Sequence, residues 1–485
     1  MTVMMVVSLV LVLFFVLLAI ETPIFLALGG AGVIGIVLLR GTDAGTSVLA
    51  SAPYNSTSSF TLAVIPMYVL LGMLALHGGL AERVYRVGSN ALRSLPGGMG
   101  IATVAACAGF AAVSGSSIGT AASIGRTSVG EMRRYGYPAG FAAGIVAGAG
   151  TLGILIPPSS ALVIYAVLSG ESVAKLLTAG IIPGVMLACL MALYVFVRAR
   201  RVSSEPQVAL AEELALASGG VSVSESGTAL RTNGSSNVVV APRPVPSEDS
   251  GDSGSNENAH FTRGQLTRSV VWIGMIFVAI FVGIFTGLFT VTESAAIGAL
   301  LALVMLLVEN FRTGWRGLWD RVREATLESA AVTSMSFSLL VGASVFSTFL
   351  VMARIPAKFG AWLTGLQIPP ILIVVLILAA LIPLGMFLET MSIMVIFVPL
   401  VHPVVVDMGY SGLWFAILFV IMIELGLITP PVGMNVFVVS TTAKVKLETV
   451  FAGAMPMCAI MIGAVALLIA FPDIVTWLPS LADEP

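Results

Sequence analysis

Long apolar segments follow one another along most of the chain, with short polar connections between them. They lie at about 4–20, 24–39, 60–78, 98–122, 140–168, 176–197, 269–291, 294–308, 329–351, 371–401, 411–440 and 450–471. Most of them reach or approach the roughly 20 residues that a helix needs to cross the hydrocarbon core of a bilayer. The pattern therefore predicts an all-α polytopic membrane protein.

One stretch, at 202–265, breaks this pattern. It is rich in Ser, Gly, Asn and Glu and poor in aromatic residues, so it cannot bury enough apolar surface to order itself. We expect a polar, disordered linker there, between a first membrane half at 1–201 and a second at 266–485. A small folded or regulatory module is the alternative interpretation of this stretch.

Short sequences of the first half recur in the second half at a nearly constant spacing. Gly-Ile-Leu-Ile-Pro-Pro at 153–158 corresponds to Gly-Leu-Ile-Thr-Pro-Pro at 426–431, so that Pro157 matches Pro430. The spacing between these two prolines also relates Gly136-Tyr137 to Gly409-Tyr410 and Pro183 to Pro456. Several matches in the same order and at one spacing indicate an internal duplication.

The basic residues predict opposite orientations for the two halves. We assign five crossings to each half, a re-entrant hairpin at about 98–132 and 371–401, and a broken helix at about 140–168 and 411–440. An odd number of crossings inverts the second repeat. With the N-terminus outside, 19 of the 23 lysine and arginine residues fall on the cytoplasmic side, where such residues concentrate. We therefore expect two inverted-topology repeats, periplasmic termini and a cytoplasmic linker.

Composition narrows the class of protein further. Only 10% of the residues are charged and 58% are hydrophobic, whereas soluble domains carry roughly 25% charged residues. The three cysteines are isolated in apolar stretches, which argues against a disulfide framework or a thiolate metal site. No catalytic motif or phosphate-binding loop is present. We therefore expect no enzymatic activity, no cofactor, no ATP-driven transport and no nucleic-acid partner.

Two kinds of segment within the apolar runs suggest a binding site. The first is Ser-Gly-Ser-Ser at 114–117, whose counterpart lies at 385–390. Such a tip offers hydroxyl groups, close backbone approach and helix N-termini, which attract anions. The second is the pair of adjacent prolines in each half, which leaves carbonyl oxygens without helical partners. Broken helices at matching places in two inverted halves indicate a transport site near the membrane midplane. Close helix packing and simple kinks are the alternative.

Four glutamates lie within or beside the apolar segments: Glu21, Glu293, Glu389 and Glu424. Ionisable residues in a membrane are rare and are frequently functional. Each of the four is a candidate ligand for a coupling ion, a candidate proton site, or a helix cap or partner of a loop arginine. The histidines His77 and His402 are expected at the ends of membrane spans.

The sequence resembles the large permease subunit, of the M or DctM type, of tripartite ATP-independent periplasmic (TRAP) transporters. The resemblance rests on Ser-Gly-Ser-Ser-Ile-Gly-Thr-Ala-Ala-Ser-Ile-Gly at 114–125 and on the runs at 136–143, 150–159, 291–300 and 424–435. It implies an elevator-type, sodium-driven importer of small organic anions, such as C4-dicarboxylates or sugar acids, in a bacterial inner membrane. The implied partners are a small membrane subunit (Q or DctQ type) and a periplasmic substrate-binding protein (P type).

The resemblance also implies particular residues by motif position. The implied sodium ligands are, in a first site, Ser114, Ser117, Gly153, Ile156 and Pro158, and in a second site, Gly385, Gly426, Thr429 and Val432. The implied substrate contacts are Ser116, Ser159, Thr390 and Asn435. The linker is longer than the family leads us to expect, and 266–290 lacks the expected prolines.

Three other functions compete with this interpretation. A stand-alone sodium- or proton-coupled carboxylate symporter would share the architecture and need no binding protein. A membrane-embedded enzyme would need a titratable or metal-binding cluster, which the sequence does not suggest. A passive channel is disfavoured because hairpins paired with broken helices suit occlusion better than an open pore.

Overall fold

The computed structural model describes residues 2–92, 94–202, 263–311, 314–365 and 368–481. Regular secondary structure in these ranges is helical throughout. Most of the predicted linker at 202–265 lies outside the described residues. The helix that follows it begins at Arg263.

The first half, within the described ranges, contains eleven α-helices. They are α1 (Val3–Ala19), α2 (Ile24–Arg40), α3 (Thr42–Thr57), α4 (Val64–His77), α5 (Leu80–Leu92), α6 (Gly98–Ser114), α7 (Ser117–Arg134), α8 (Ala139–Gly150), α9 (Leu152–Leu155), α10 (Ser160–Ser169) and α11 (Val173–Val202). A short 3-10 helix, Phe60–Ala63, leads directly into α4. Pro183 lies inside α11.

The second half, as far as it is described, contains ten α-helices. They are α12 (Arg263–Phe285), α13 (Val291–Glu309), α14 (Gly314–Met352), α15 (Ile355–Thr364), α16 (Pro370–Phe387), α17 (Thr390–Asp407), α18 (Gly412–Gly426), α19 (Met434–Ala443), α20 (Leu447–Ala470) and α21 (Asp473–Ser480). The longest of them, α14, has 39 residues.

Helix boundaries repeat at the spacing found in the sequence. The starts of α7 and α17 have the same spacing as Pro157 and Pro430, and so have the starts of α8 and α18. The starts of α6 and α16, of α10 and α19, and of α11 and α20 depart from it by no more than a single position. The duplication is therefore visible in the order and the starting positions of these helices. The orientation of each repeat relative to a membrane stays a prediction.

The described helices include seven that are long and apolar enough to cross a membrane. The segments Ala139–Leu155 and Ser160–Ser169, bent by 46° at the break between them, make an eighth if they are counted as one span. Several shorter apolar helices of 10–17 residues accompany them. The predicted class is confirmed: the chain is an all-α, multi-pass membrane protein.

The apolar side chains form two cores that together frame the site. The smaller core joins α1 and α2 to the C-terminal part of α14. An added Cβ at Gly32 of α2 would lie 3.0 Å from the backbone nitrogen of Phe346, so these two helices approach closely. The larger core contains α6 to α10, α16 to α19 and much of α4. α14 contributes to both cores and lies along their boundary.

A close contact between glycines joins the two halves within the larger core. An added Cβ at Gly144 of α8 would overlap the carbonyl group of Gly453 in α20. A Cβ at Gly453 would likewise overlap the carbonyl group of Gly140. Small residues allow helix backbones in a membrane to pack at this distance. The broken helix of the first half is therefore held against the last long helix of the second.

Candidate functional site

The tip between α6 and α7, which we call the first tip, consists of Gly115 and Ser116. Gly115 has a φ of 58°, a left-handed conformation that glycine adopts without steric cost. Ser116 caps α7, because its Oγ accepts a hydrogen bond from the backbone N–H of Gly119 at 3.2 Å. An added Cβ at Gly115 would lie 2.9 Å from the carbonyl oxygen of Pro158. The first tip therefore packs directly against the proline pair of its own repeat.

A chain of hydroxyl groups runs from this tip into α7. Thr120 Oγ1 donates to the carbonyl oxygen of Ser116 at 2.7 Å and lies 2.9 Å from Ser114 Oγ. Because the Thr120 proton is already used, the Ser114 hydroxyl is the donor in the second contact. Ser160 Oγ donates to the carbonyl oxygen of Gly115 at 3.3 Å. The first tip thus presents neutral hydroxyl and backbone groups.

The first broken helix consists of α8, α9 and α10, with Ile156 to Ser159 between α9 and α10. Pro157 and Pro158 occupy the middle of this break, and the bond between them is cis. Ser159 caps α10 by accepting a hydrogen bond from the backbone N–H of Leu162 at 3.3 Å, and its side chain is fully buried. An added Cβ at Gly153 would overlap the carbonyl group of Ser116. The break and the first tip therefore form one contact surface.

The tip between α16 and α17, the second tip, consists of Leu388 and Glu389. The Glu389 carboxylate accepts hydrogen bonds from the backbone N–H groups of Met391 at 3.0 Å and Ser392 at 3.4 Å. A carboxylate stabilises a helix N-terminus both as a cap and through the helix dipole. The Glu389 carboxylate therefore compensates the positive N-terminal end of the α17 dipole. The N-terminus of α7 is capped by the neutral hydroxyl of Ser116 instead.

The second broken helix consists of α18 and α19, and it meets the second hairpin at two glycines. An added Cβ at Gly426 would lie 2.6 Å from the Cα of Gly385. Thr429 Oγ1 donates to the carbonyl oxygen of Leu425 at 2.6 Å. The bond between Pro430 and Pro431 is cis, as in the first break. The close approach of the hairpin to the break thus occurs in both repeats.

Asn435 lies at the start of α19 and is completely buried. Its backbone N–H donates to the carbonyl oxygen of Leu427 at 3.1 Å, which ties α19 to the end of α18. Neither polar atom of its side chain has a hydrogen-bond partner within the described part of the chain. A buried amide without partners is costly, so this position has unused capacity to bind a polar group.

Glu424, on α18, contacts both hairpins. Its Oε1 lies 3.4 Å from the Oγ of Ser117 and 3.1 Å from the Oγ1 of Thr390. All three side chains are at most 2% exposed. Ser117 and Thr390 are the first residues of α7 and α17, so Glu424 joins the equivalent positions of the two hairpins.

A cavity of about 190 Å³ lies between the two tips. The residues that line it from the tips include Ser114, Gly115, Ser116, Ser117, Ser160, Glu389 and Thr390. Gly72 and Leu76 of α4 and Met335 and Ser336 of α14 line it from the other side. The cavity therefore lies where the two hairpins face α4 and α14, and the described residues of its wall include no lysine or arginine.

The residues named from the sequence fall into three groups. Ser114, Ser116, Ser117 and Thr390 line the cavity. Gly153, Pro158, Gly385 and Gly426 lie at the contacts between hairpins and breaks, and Ile156 packs beside them against the position of Gly184. Ser159, Asn435 and Thr429 are not among the described residues of the cavity wall, and Val432 is 42% exposed. The hairpin tips are thus brought together, while Ser159 and Asn435 stay outside the cavity wall.

The two remaining glutamates lie away from the tips. Glu293 completes a capping box at the start of α13, accepting hydrogen bonds from the backbone N–H of Thr290 at 2.8 Å and from its hydroxyl at 2.9 Å. Glu21 is exposed in the turn between α1 and α2, with a φ of 61°. The capping role thus accounts for Glu293, whose Oε2 accepts both bonds from Thr290.

His402 makes two polar contacts that the sequence did not suggest. It is 5% exposed, and its Nδ1 lies 3.0 Å from the hydroxyl of Tyr165, while Nε2 lies 3.5 Å from Glu171. Tyr165 is 237 residues away from His402 in the chain, so the expected position of His402 at the end of a span gave no indication of this contact. No local sequence signal would have found it.

Metal-binding side chains do not cluster in the described ranges: no group of three or more His, Cys, Asp and Glu residues is placed to hold a metal ion there. Any monovalent cation would have to use hydroxyl and backbone oxygens together with single carboxylates. Two hairpin tips and two broken helices inside a bundle of apolar helices define the class of this protein, a multi-pass membrane protein with a cavity between the tips.

Comparison with known proteins identifies the family. The profile of the tripartite ATP-independent periplasmic transporter, DctM component, matches residues 11–474, and the chain belongs to this family. The resemblance drawn from the motifs is therefore confirmed. Members of this family are the large permease subunits of transporters.

Two relatives and one solved structure illustrate the match. The C4-dicarboxylate TRAP transporter large permease protein DctM of Pseudomonas aeruginosa is 32% identical over 450 residues, which cover 92% of this chain and 90% of that protein. The isethionate TRAP transporter permease protein DctMQ of Oleidesulfovibrio alaskensis is 28% identical, covering 95% and 64%. The YdaH transporter of Alcanivorax borkumensis has a similar fold, with a TM-score of 0.60 at 15% identity over 92% of this chain and 96% of that one.

Proposed function

We propose that this chain is the large membrane subunit of a sodium-coupled, binding-protein-dependent importer of small organic anions. The observation that carries the proposal is the composition of the cavity between the two tips. Its described wall offers hydroxyl groups and one carboxylate, Glu389, without any basic side chain. An anion in this cavity has no lysine or arginine of the described wall to pair with, so it needs a cation bound nearby to compensate its charge.

The first tip is the better place for the anion. The N-terminus of α7 is capped by the neutral hydroxyl of Ser116, so its dipole is still available to attract negative charge. The N-terminus of α17 is instead capped by the Glu389 carboxylate. We therefore place the substrate beside Ser116, with Thr390 on the opposite tip. Ser159, which caps α10, would act from behind the cavity wall, and the buried amide of Asn435, which has no hydrogen-bond partner in the described part of the chain, would be available to bind a polar group.

The coupling sodium ions are proposed at the two contacts between hairpin and break. The first site would use Ser114, Ser117, Gly153, Ile156 and Pro158, and the second Gly385, Gly426, Thr429 and Val432. Proline pairs leave nearby carbonyl oxygens without helical partners, and such oxygens suit a hard cation. The close approach at Gly153 and at Gly426 supports these positions, because it brings the backbone of each hairpin against its break.

The size of the cavity favours a small substrate. Ligand pockets commonly measure roughly 300–1,000 Å³, whereas this cavity measures about 190 Å³. The relatives above are named for a C4-dicarboxylate and for isethionate, both small anions. We therefore favour a C4-dicarboxylate or an anion of similar size over a larger sugar acid.

The position of the cavity suggests which parts move. We propose that the hairpins and broken helices form a mobile unit, which carries the site past α4 and α14 in an elevator-type cycle. The cavity wall is formed partly by this mobile unit and partly by α4 and α14, so movement of the one relative to the other would open or close the cavity. Each repeat would span the inner membrane of a bacterium in the opposite direction to the other, with periplasmic termini and a cytoplasmic linker.

A small membrane subunit and a periplasmic binding protein are the proposed partners. The name DctMQ of one relative, whose length this chain covers to 64%, is consistent with a small subunit fused to the large one in that protein. A stand-alone symporter remains the competing function, and it predicts uptake without any binding protein.

Uptake by the reconstituted complex tests the proposal. The chain is purified with its small subunit, reconstituted in liposomes, and given radiolabelled succinate, isethionate or sialic acid with and without the cognate binding protein. We expect uptake of one of these anions only with an inward sodium gradient and the binding protein. Full uptake with choline in place of sodium contradicts sodium coupling. Full uptake without the binding protein favours the stand-alone symporter.

Substitutions at the proposed sites separate the site from the fold. Ser114→Leu and Thr429→Leu are expected to abolish uptake, because a bulky apolar side chain replaces an oxygen ligand at each sodium site. Ser334→Leu is the control, since Ser334 is exposed on α14 and is not among the described residues of the cavity wall. Expression should be unchanged in all three. Normal uptake by Ser114→Leu or Thr429→Leu would reject the corresponding site.

A further inference from the structure

Glu424 is a buried carboxylate that neither proposed sodium site uses. Its Oε1 is within 3.4 Å of Ser117 Oγ and 3.1 Å of Thr390 Oγ1, while its Oε2 has no hydrogen-bond partner among the described residues. The side chain is 1% exposed. A carboxylate buried in this way is unfavourable unless a positive charge accompanies it.

The two hydroxyl groups around Glu424 are equivalent in the duplicated fold. Ser117 and Thr390 are separated along the chain by the same number of residues as Pro157 and Pro430. Each is the first residue of the second helix of its hairpin. A single oxygen of Glu424 therefore lies where the two repeats meet. The counterpart of Glu424 in the first repeat is Thr151, whose hydroxyl donates to the carbonyl oxygen of Gly148 at 2.6 Å. Only one repeat supplies a carboxylate, so there is one such position and not two.

The two hydrogen bonds to Glu424 are longer than is usual for an ionised carboxylate. Hydroxyl groups that donate to an ionised carboxylate usually lie about 2.5–2.7 Å from it. The distances to Ser117 and Thr390 are longer than this, at 3.4 and 3.1 Å. Both hydroxyls can rotate to turn a lone pair toward a cation instead. Carboxylate and hydroxyl oxygens are hard ligands of the kind that alkali and alkaline-earth cations take.

We propose that the Glu424 carboxylate and the hydroxyl groups of Ser117 and Thr390 form a further sodium site at the junction of the two hairpin tips, which shares Ser117 with the first proposed site. This inference rests on the proposed sodium coupling and adds one ion to it. The ion compensates the charge of Glu424 and links the two hairpins to each other. Because Ser117 and Thr390 also line the cavity, the ion lies directly behind its wall. It thereby supplies positive charge to an anion that meets no basic side chain in the described wall.

Thermal stability of the purified complex, measured without any organic anion, tests the site. Sodium chloride is titrated against choline chloride at constant ionic strength, since an ion that binds only the folded protein raises Tm with its concentration. Glu424→Gln keeps the volume and can still hydrogen-bond both hydroxyls. We expect it to fold, and to raise the sodium concentration for half-maximal stabilisation at least about tenfold, as loss of a metal-site group does.

Two further variants complete the experiment. Thr390→Val, which removes one neutral ligand and keeps the shape, is expected to raise the same midpoint by at least about threefold, a smaller effect than loss of the charged ligand. It decides the question if Glu424→Gln does not fold. Glu293→Gln is the matched control, because Glu293 only caps α13, and its sodium midpoint should equal that of the unchanged chain.

The outcomes separate this site from the proposed function. A wild-type response to sodium that Glu424→Gln and Thr390→Val leave unchanged overturns the site and leaves sodium coupling standing. That result is also the one expected if the carboxyl carries a proton in place of a sodium ion. A wild-type complex that responds equally to sodium and choline, and takes up anion without sodium, overturns both. A midpoint shift in both variants, with none in Glu293→Gln, supports the site.

Discussion

Alanine at Gly426 is expected to disable transport while leaving the protein folded. The added Cβ would lie 2.6 Å from the Cα of Gly385 and 2.8 Å from the carbonyl oxygen of Ile382, both of them backbone atoms that cannot rotate away. Ordinary van der Waals contact begins at 3.4 Å, so the second hairpin must move by about 0.8 Å, the difference between 3.4 and 2.6 Å. Overpacking of this kind costs about 1–3 kcal/mol.

The preference of helices for alanine over glycine, about 1 kcal/mol in a helix interior, offsets little of that cost, because Gly426 is the last residue of α18. The net loss is small enough for the complex to assemble, but a site held by backbone contacts is sensitive to displacements of this size. A misplacement of about 1 Å can reduce the rate of a precisely positioned reaction by about 100-fold. We therefore expect the displacement in Gly426→Ala to lower the initial rate of uptake by at least about tenfold.

Initial rates in proteoliposomes, with the amount of assembled complex measured in each sample, check this prediction. Gly463→Ala is the control, because no atom lies within 4 Å of a Cβ added at Gly463, on the exposed face of α20. Its uptake should equal that of the unchanged chain. If Gly426→Ala transports within a factor of two of the control, the contact between hairpin and break is not part of the site.

Three further substitutions address other parts of the fold. Gly153→Ala should reduce uptake as strongly as Gly426→Ala, because its Cβ would overlap the carbonyl group of Ser116; normal uptake would make the two repeats functionally unequal. Thr290→Val removes a capping box and should lower Tm by the equivalent of about 1 kcal/mol. A Tm equal to that of the unchanged chain would show that the cap does not contribute to stability. Tyr165→Phe removes the 3.0 Å contact with His402 and should cost about 1 kcal/mol, with an unchanged sodium midpoint; a shifted midpoint would connect this contact to ion binding.

Features of the fold that depend on local sequence were accessible without the structure. A proline pair inside a helix removes backbone donors and obstructs the preceding turn, and the helix interruptions at Pro157 and Pro430 follow from that. Long apolar runs predicted the class, and the spacing at which the motifs recur appeared again in the helix boundaries. These features share one property: each is determined by residues that are neighbours in the chain.

Contacts between distant residues were not accessible in this way. Glu424 meets Ser117 across 307 positions in the chain, and no pattern around Glu424 identifies its partner. Adjacent residues can also differ in role: Ser159 points inward and caps α10, whereas Ser160 lines the cavity. The sequence motif at 150–159 ends at Ser159 and leaves out Ser160, and only the start of α10 decides which of the two serines faces the first tip. Side-chain direction at a helix start is a property of the assembled fold.

The proposed transport site lies between the two hairpin tips, and a structure of the loaded complex tests that location most directly. The complex of large and small subunits, in a lipid bilayer with sodium and the anion that it takes up, should show density for the anion between Ser116 and Thr390. Density for cations should lie at the hairpin contacts behind it. Anion density elsewhere, with the space between the tips filled by side chains or lipid, would contradict the proposed site.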